Sequence, residues 1–134
     1  PRRFEEIRTF EAMLTAHGTH VLKFYLHVSP EEQIKRLIER LEQPDKHWKV
    51  NLGDLEERER WAEYQRAFDE MLPATSTDAS PWYVIPADAK WYCRAVIADL
   101  IAQHLESMKV SYPNIPEATS NEYLELGKKL RAQA

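Results

Sequence analysis

One stretch limits the folds open to this chain more than any other: Thr19–Glu42, THVLKFYLHVSPEEQIKRLIERLE. Its first part is rich in β-branched and aromatic residues. Leu22, Phe24, Leu26 and Val28 fall on one face of a strand, and Val21 and Tyr25 add apolar surface to the other. A strand apolar on both faces suits the interior of a parallel sheet covered by helices. The strand runs straight into a helix start, with Ser29 as N-cap, Pro30 as first helical residue and Glu32 as capping-box partner. The helix is expected over 30–42, turning Ile34, Leu37, Ile38 and Leu41 inward, with Gln33, Arg36 and Arg40 on the adjacent stripe. A strand, a tight turn and a helix in that order is α/β grammar.

The flanking segments extend the pattern. Phe4, Ile7, Phe10, Met13 and Leu14 predict an amphipathic helix over 2–16, closed by Gly18 as a left-handed cap. Residues 42–53 break the periodicity. Asp54 then reads as an N-cap with Glu57 as its capping-box partner, opening a helix to Leu72 that places Arg58 one turn before Trp61. Residues 73–81 read as a loop and Trp82–Ile85 as a second strand closed by Pro86. A long helix is expected over 88–109, with Ile97, Leu100, Ile101 and Leu105 toward a core. Pro113 and Pro116 make 111–116 a linker, and a last helix is expected over 117–132. The domain reading is therefore 1–109 plus a linker and terminal helix over 110–134. Two parallel strands are few for a doubly wound sheet. Together with a first residue that is Pro1 and not Met, this suggests a segment whose N-terminal part is absent.

Composition narrows the function classes. The chain has 134 residues and a net charge of -4, opposite in sign to a generic nucleic-acid binder. Its one cysteine, Cys93, excludes an internal disulfide and reads as a small buried residue. The five histidines show no metal-ligand spacing. The apolar runs are too short for a membrane span and there is no signal peptide, so the cytoplasm is the expected compartment. Three glycines exclude the glycine-rich phosphate loops of GxGxxG and GxxxxGK(S/T) type from this stretch.

Against that acidic background, Arg36, Arg40, Lys46, Lys49 and Arg58 cluster around the break between two helices. Several cations facing a sheet edge are the means by which phosphoryl-transfer enzymes neutralise charge on the transferring group. Solvated helix faces also carry such charges, and Glu32–Arg36 is an ordinary i,i+4 pair. Ligands of open α/β sheets bind beyond the carboxyl ends of strands, here Ser29 and Pro86–Asp88. That geometry places Gln33, Arg36, Lys90 and Arg94 near one edge. Trp61 and Trp82 read as core, while Trp48, between lysines, could hinge or anchor a flap.

Four motifs carry a family resemblance: KF-L-hS-EEQ-R---R from Lys23 to Arg40, P-KHWK from Pro44 to Lys49, D-LxxRxxW--Y from Asp54 to Tyr64, and ATST--PWYVIPADxKW--RA from Ala74 to Ala95. Over about residues 2–105 the chain closely resembles the polyphosphate kinase type 2 family, and most of all the branch that accepts AMP as well as ADP. The resemblance implies a P-loop kinase-like, thymidylate kinase-related three-layer α/β sandwich, present only as its C-terminal half. It implies Mg²⁺-dependent phosphoryl transfer between inorganic polyphosphate and a nucleotide (AMP, ADP, ATP or guanine counterparts), with a homo-oligomeric complete enzyme and neither nucleic acid nor membrane as partner. Residues 30–72 would be the lid module, in which Arg36, Arg40, Lys46 and Lys49 contact polyphosphate and Arg58 is catalytic. Lys90 and Arg94 would lie on the nucleotide side. The family's Walker A loop, catalytic aspartates and Walker B region would precede residue 1, so no metal ligand is assigned here and the chain alone is expected to be inactive. Two other readings compete: a non-catalytic module that binds a polyanion with the same cations, and a helical interaction domain whose cations merely solvate it.

Overall fold

The computed structural model describes residues 2–133. The chain divides into two compact units, one reaching Leu100 and one from Ile101 onward. The first unit holds helix α1 (Arg2–Ala16), strand β1 (Lys23–His27), helix α2 (Pro30–Glu42), a 3-10 helix (Pro44–Lys49), helices α3 (Gly53–Glu59) and α4 (Trp61–Thr75), strand β2 (Trp82–Pro86) and the start of helix α5 (Lys90–Ser107). The second holds the end of α5, an irregular stretch and helix α6 (Glu117–Arg131). Among the described residues, no helix is long and apolar enough to cross a membrane.

The two strands pair in parallel, Lys23 opposite Trp82 through His27 opposite Pro86. The β1–α2 turn forms as its residues dictate: Ser29 keeps extended dihedrals and its Oγ accepts from the Glu32 N–H at 3.1 Å, a cap worth about 1 kcal/mol. Gly18 closes α1 at φ +83°, where a side chain would be strained. Behind the sheet, Ile85, Ala87 and Cys93 are buried, with Phe24, Tyr83, Val96, Ile97 and Leu100 packed against them. Phe24 and Tyr83 stack at 5.6 Å, and on the opposite face Tyr25 meets Phe68 of α4 at 4.8 Å.

Several expectations are corrected. The buried residue of α1 is Glu11, whereas Ile7, Phe10 and Met13 are exposed. The reason is an ion pair: Lys23 Nζ lies 2.7 Å from Glu11 Oε2, and helix α1 turns its acid, not its apolar stripe, toward the start of β1. Ile34, Ile38 and Leu41 of α2 are also exposed, because this helix faces the rest of the unit through Gln33, Arg36 and Leu37. Ile101 and Leu105 are exposed as well. Asp54 is not an N-cap. Gly53 opens α3, and its N–H is held by the Asn51 side chain at 3.0 Å. The helix read as continuous to Leu72 breaks at Arg60, which leaves helical geometry with φ -90° and ψ 17°. Helix α4 then runs past Pro73 to Thr75, whose Oγ donates to Met71 O at 2.8 Å, so the loop starts later than expected. Pro73 deprives the Asp69 carbonyl of its helical partner and crowds it, and α4 ends two residues later.

Candidate functional site

Helices α3 and α4 meet at the break at Arg60, where α3 reaches α2 through Arg58 and Gln33 while α4 packs on Tyr25 through Phe68. Between them lies an open groove of about 470 Å³. Tyr25, Trp61 and Phe68 supply its apolar lining, and Arg36, Arg40 and Arg58 its cations. These arginines come from two helices separated by a 3-10 turn, and the sequence cluster becomes a spatial one.

The three are held differently. Arg36 Nε donates to Glu32 at 2.9 Å, and its Nη2 donates to the carbonyls of Ala87 at 2.7 Å and Asp88 at 3.0 Å. Its charge is compensated and its fork is spent on tying α2 to the end of β2. Arg40 lies 3.9 Å from Asp54, a loose contact between half-exposed groups that contributes little. Arg58 donates Nη1 to Gln33 Oε1, a neutral amide, and its guanidinium sits 5.9 Å from the Trp61 ring centre. A neutral acceptor and an aromatic face fix the direction of a guanidinium without cancelling its charge. Arg58 is therefore the arginine of the groove with most to offer an incoming anion.

The acids at the rim are Asp54 and Glu57. Glu57 accepts from the Tyr64 hydroxyl, a bond that raises the phenol above its ordinary value. At the strand ends, Asp88 accepts from the Ser29 N–H at 2.8 Å. That backbone bond, then one from the Ser29 hydroxyl and the nearby charge of Arg36, holds the Asp88 carboxyl below its ordinary 3.8. A depressed carboxylate stabilises the fold above the ordinary carboxylate range, and the contribution is lost as pH falls through the depressed value. Asp88→Asn is thus expected to lower the melting temperature at neutral pH, with the gap to the unaltered chain closing below roughly pH 3. A gap of the same size at both ends of a pH series would contradict this.

Other candidates stand apart. Lys46 and Lys49 belong to the 3-10 helix and do not line the groove, and Lys49 Nζ instead lies 4.8 Å over the exposed Trp48 ring. Lys90 and Arg94 are exposed on α5, also outside the groove. Sequence reading placed Gln33 on the right stripe without its task as the acceptor for Arg58, since the two are 25 residues apart. It missed Asp88 as a strap between strand ends, although an acid two residues after the strand's closing proline was the available signal. Among the described residues, no three His, Cys, Asp or Glu side chains gather to hold a metal ion.

A family model described as Polyphosphate kinase 2 (PPK2) matches residues 1–113. The chain is 42% identical over 132 residues to an uncharacterised protein from the region 3′ of chlN in Leptolyngbya boryana, spanning 98% of this chain and 97% of that protein. It is 45% identical over 119 residues to an AMP/ADP-polyphosphate phosphotransferase of Meiothermus ruber, spanning 89% of this chain but 44% of that enzyme. The crystal structure of polyphosphate kinase 2 from Arthrobacter aurescens TC1 superposes with a TM-score of 0.85 at 38% identity, covering 94% of this chain and 46% of that one. The chain thus spans a little under half of that phosphotransferase and of that solved kinase. Its helix-dominated architecture with a small parallel sheet matches the covered part of the solved kinase, and the family model runs through both strands and the arginine groove: the chain belongs to the polyphosphate kinase 2 family.

Proposed function

We propose that this chain is the phosphate-facing, C-terminal half of an enzyme that transfers phosphoryl groups between inorganic polyphosphate and a nucleoside mono- or diphosphate. The observation that carries the reading is the convergence of Arg36, Arg40 and Arg58 on one groove at the carboxyl end of β1, with Arg58 fixed by a neutral partner. Phosphoryl transfer asks little covalent chemistry of a protein. It asks for positioning and for positive charge around the equatorial oxygens of the group in flight. In this reading Arg58 stabilises that group, Arg40 attracts the polyphosphate chain, and Arg36 holds α2 against the end of β2. Residues 30–72 act as the lid module. Lys46 and Lys49 meet the chain of phosphates when the lid closes, and Lys90 and Arg94 serve the nucleotide side. The rest of a P-loop kinase-like, thymidylate kinase-related sandwich would supply the Walker loops and the carboxylates for Mg²⁺. The complete enzyme would be a cytoplasmic homo-oligomer.

The test has two arms. Polyphosphate should bind this chain with an affinity that falls as salt rises, at a log–log slope of about -1.4 for Arg40 and Arg58. Replacing both by glutamine should flatten that slope. The complete polypeptide should transfer phosphate from polyphosphate to ADP or AMP, and this chain alone should not. No transfer by the complete polypeptide overturns the enzymatic reading, and turnover by the isolated chain overturns the half-enzyme assignment. A non-catalytic polyanion-binding reading stays in play because the Leptolyngbya boryana relative matches this span almost end to end. Salt-sensitive binding without transfer would select it.

A further inference from the structure

Arg36 and Arg58 both line the groove, yet they are partnered in opposite ways. Arg36, which ties α2 to the end of β2, is given the carboxylate of Glu32. Arg58 is given the side-chain amide of Gln33, and among the described residues no carboxylate forms an ion pair with it. A carboxylate at position 33 would make the stronger, charge-assisted bond. It would also lie favourably near the N-terminus of α2, as Glu31 and Glu32 do. Stability alone favours glutamate there, and the amide forgoes both gains.

The chemistry of the pair fixes which end of the amide meets Arg58. A guanidinium carries donors only, so the atom it faces is Oε1, and the two hydrogens of Nε2 are left over. Nε2 has no hydrogen-bond partner among the described residues and stays accessible to solvent. Gln33 itself lines the groove. An uncompensated planar cation and a neutral N–H donor thus stand side by side, joined by a bond that orients both. A phosphoryl group offers several strong acceptor oxygens to such a pair. On the reading that polyphosphate occupies this groove, we infer that Gln33 is a second phosphate contact and the positioning residue of Arg58. Its Oε1 aims the guanidinium, its Nε2 donates to an oxygen of the same phosphate segment, and its lack of charge leaves the whole charge of Arg58 to the anion.

Gln33→Glu and Gln33→Met separate this role from a merely structural one. A residue needed only to hold Arg58 tolerates glutamate, which holds it more tightly. Here glutamate should be the worse substitution, although its melting temperature should equal or exceed the parent's. In this chain, Gln33→Glu should reduce the log–log salt slope of polyphosphate binding from about -1.4 to about -0.7, because one of the two working cations is cancelled. Gln33→Met changes no charge and should keep the slope near the parent's while weakening binding by roughly tenfold, the loss of a neutral hydrogen bond. In the complete polypeptide, kcat should fall about 10²-fold or more for glutamate and roughly tenfold for methionine. A Gln33→Glu slope equal to the parent's, or a glutamate variant as active as the methionine one, overturns the inference even where the parent transfers phosphate normally. A halved slope in a polypeptide that transfers nothing upholds the Gln33 contact and overturns the enzymatic reading instead.

Discussion

Replacing Arg58 with alanine in the complete enzyme is expected to lower phosphoryl-transfer turnover by about 10²-fold or more, the usual loss when one preorganised donor to a developing charge is removed. Stability should change far less. Arg58 makes one side-chain hydrogen bond, to Gln33, and one ring contact, with Trp61. Losing both costs about 1–2 kcal/mol, a melting shift of a few degrees per kcal/mol in a chain of this size. Arg58→Lys separates charge from shape: it keeps the charge but loses the planar fork, so its turnover should fall between those of the parent and the alanine variant. Measured kcat and melting temperature for the three proteins check the claim. Turnover of the alanine variant equal to the parent's at saturating polyphosphate would remove Arg58 from the chemistry.

The largest effect on stability should come from the start of β1, on the same sheet face as Tyr25. Lys23 and Glu11 are both about nine-tenths buried at a separation of 2.7 Å. Lys23 Nζ also donates to Thr75 O at 2.6 Å and lies 5.2 Å from the Trp82 ring centre, while Trp82 Nε1 donates to Thr75 Oγ at 2.9 Å. One ammonium thus joins α1, β1, the end of α4 and β2. Glu11→Ala leaves it without its counter-ion, and breaking a buried pair in this way costs about 3–5 kcal/mol. That is a large part of the 5–15 kcal/mol typical of a whole domain. The double variant Glu11→Ala/Lys23→Met removes the stranded charge as well and should recover most of the loss, since apolar replacement of a buried pair is often close to neutral. Thermal unfolding followed by circular dichroism reads both. A single variant within about 1 kcal/mol of the parent would show that water reaches the ammonium.

The same pair shows where reading the chain stops. Glu11 sits among the apolar residues of a helix whose periodicity predicts a core face, and only the fold reveals that its carboxylate is the buried group. Lys23 opens a strand otherwise read correctly, and its burial depends on residues 12 and 52 positions away. The kink at Arg60 carries neither glycine nor proline, so no local signal marked it, yet it shapes the groove. The exposed apolar residues of α2 were read as inward because amphipathic spacing reports a face without saying what covers it.

What the sequence determined by itself was local: the Ser29 cap, the left-handed Gly18, the two strand segments and the family motifs. Each is set by sterics and hydrogen bonds within a few residues, or by an ordered string of residue types. The tertiary structure alone decided which cations work together. Arg58 meets Gln33 across 25 residues and Arg36 reaches Ala87 across 51, while Lys46 and Lys49, closer in sequence to both arginines, stay outside the groove. A charge cluster written along a chain has no direction. Side-chain direction is imposed by the packing of helices on a sheet, and that packing is a property of the whole fold.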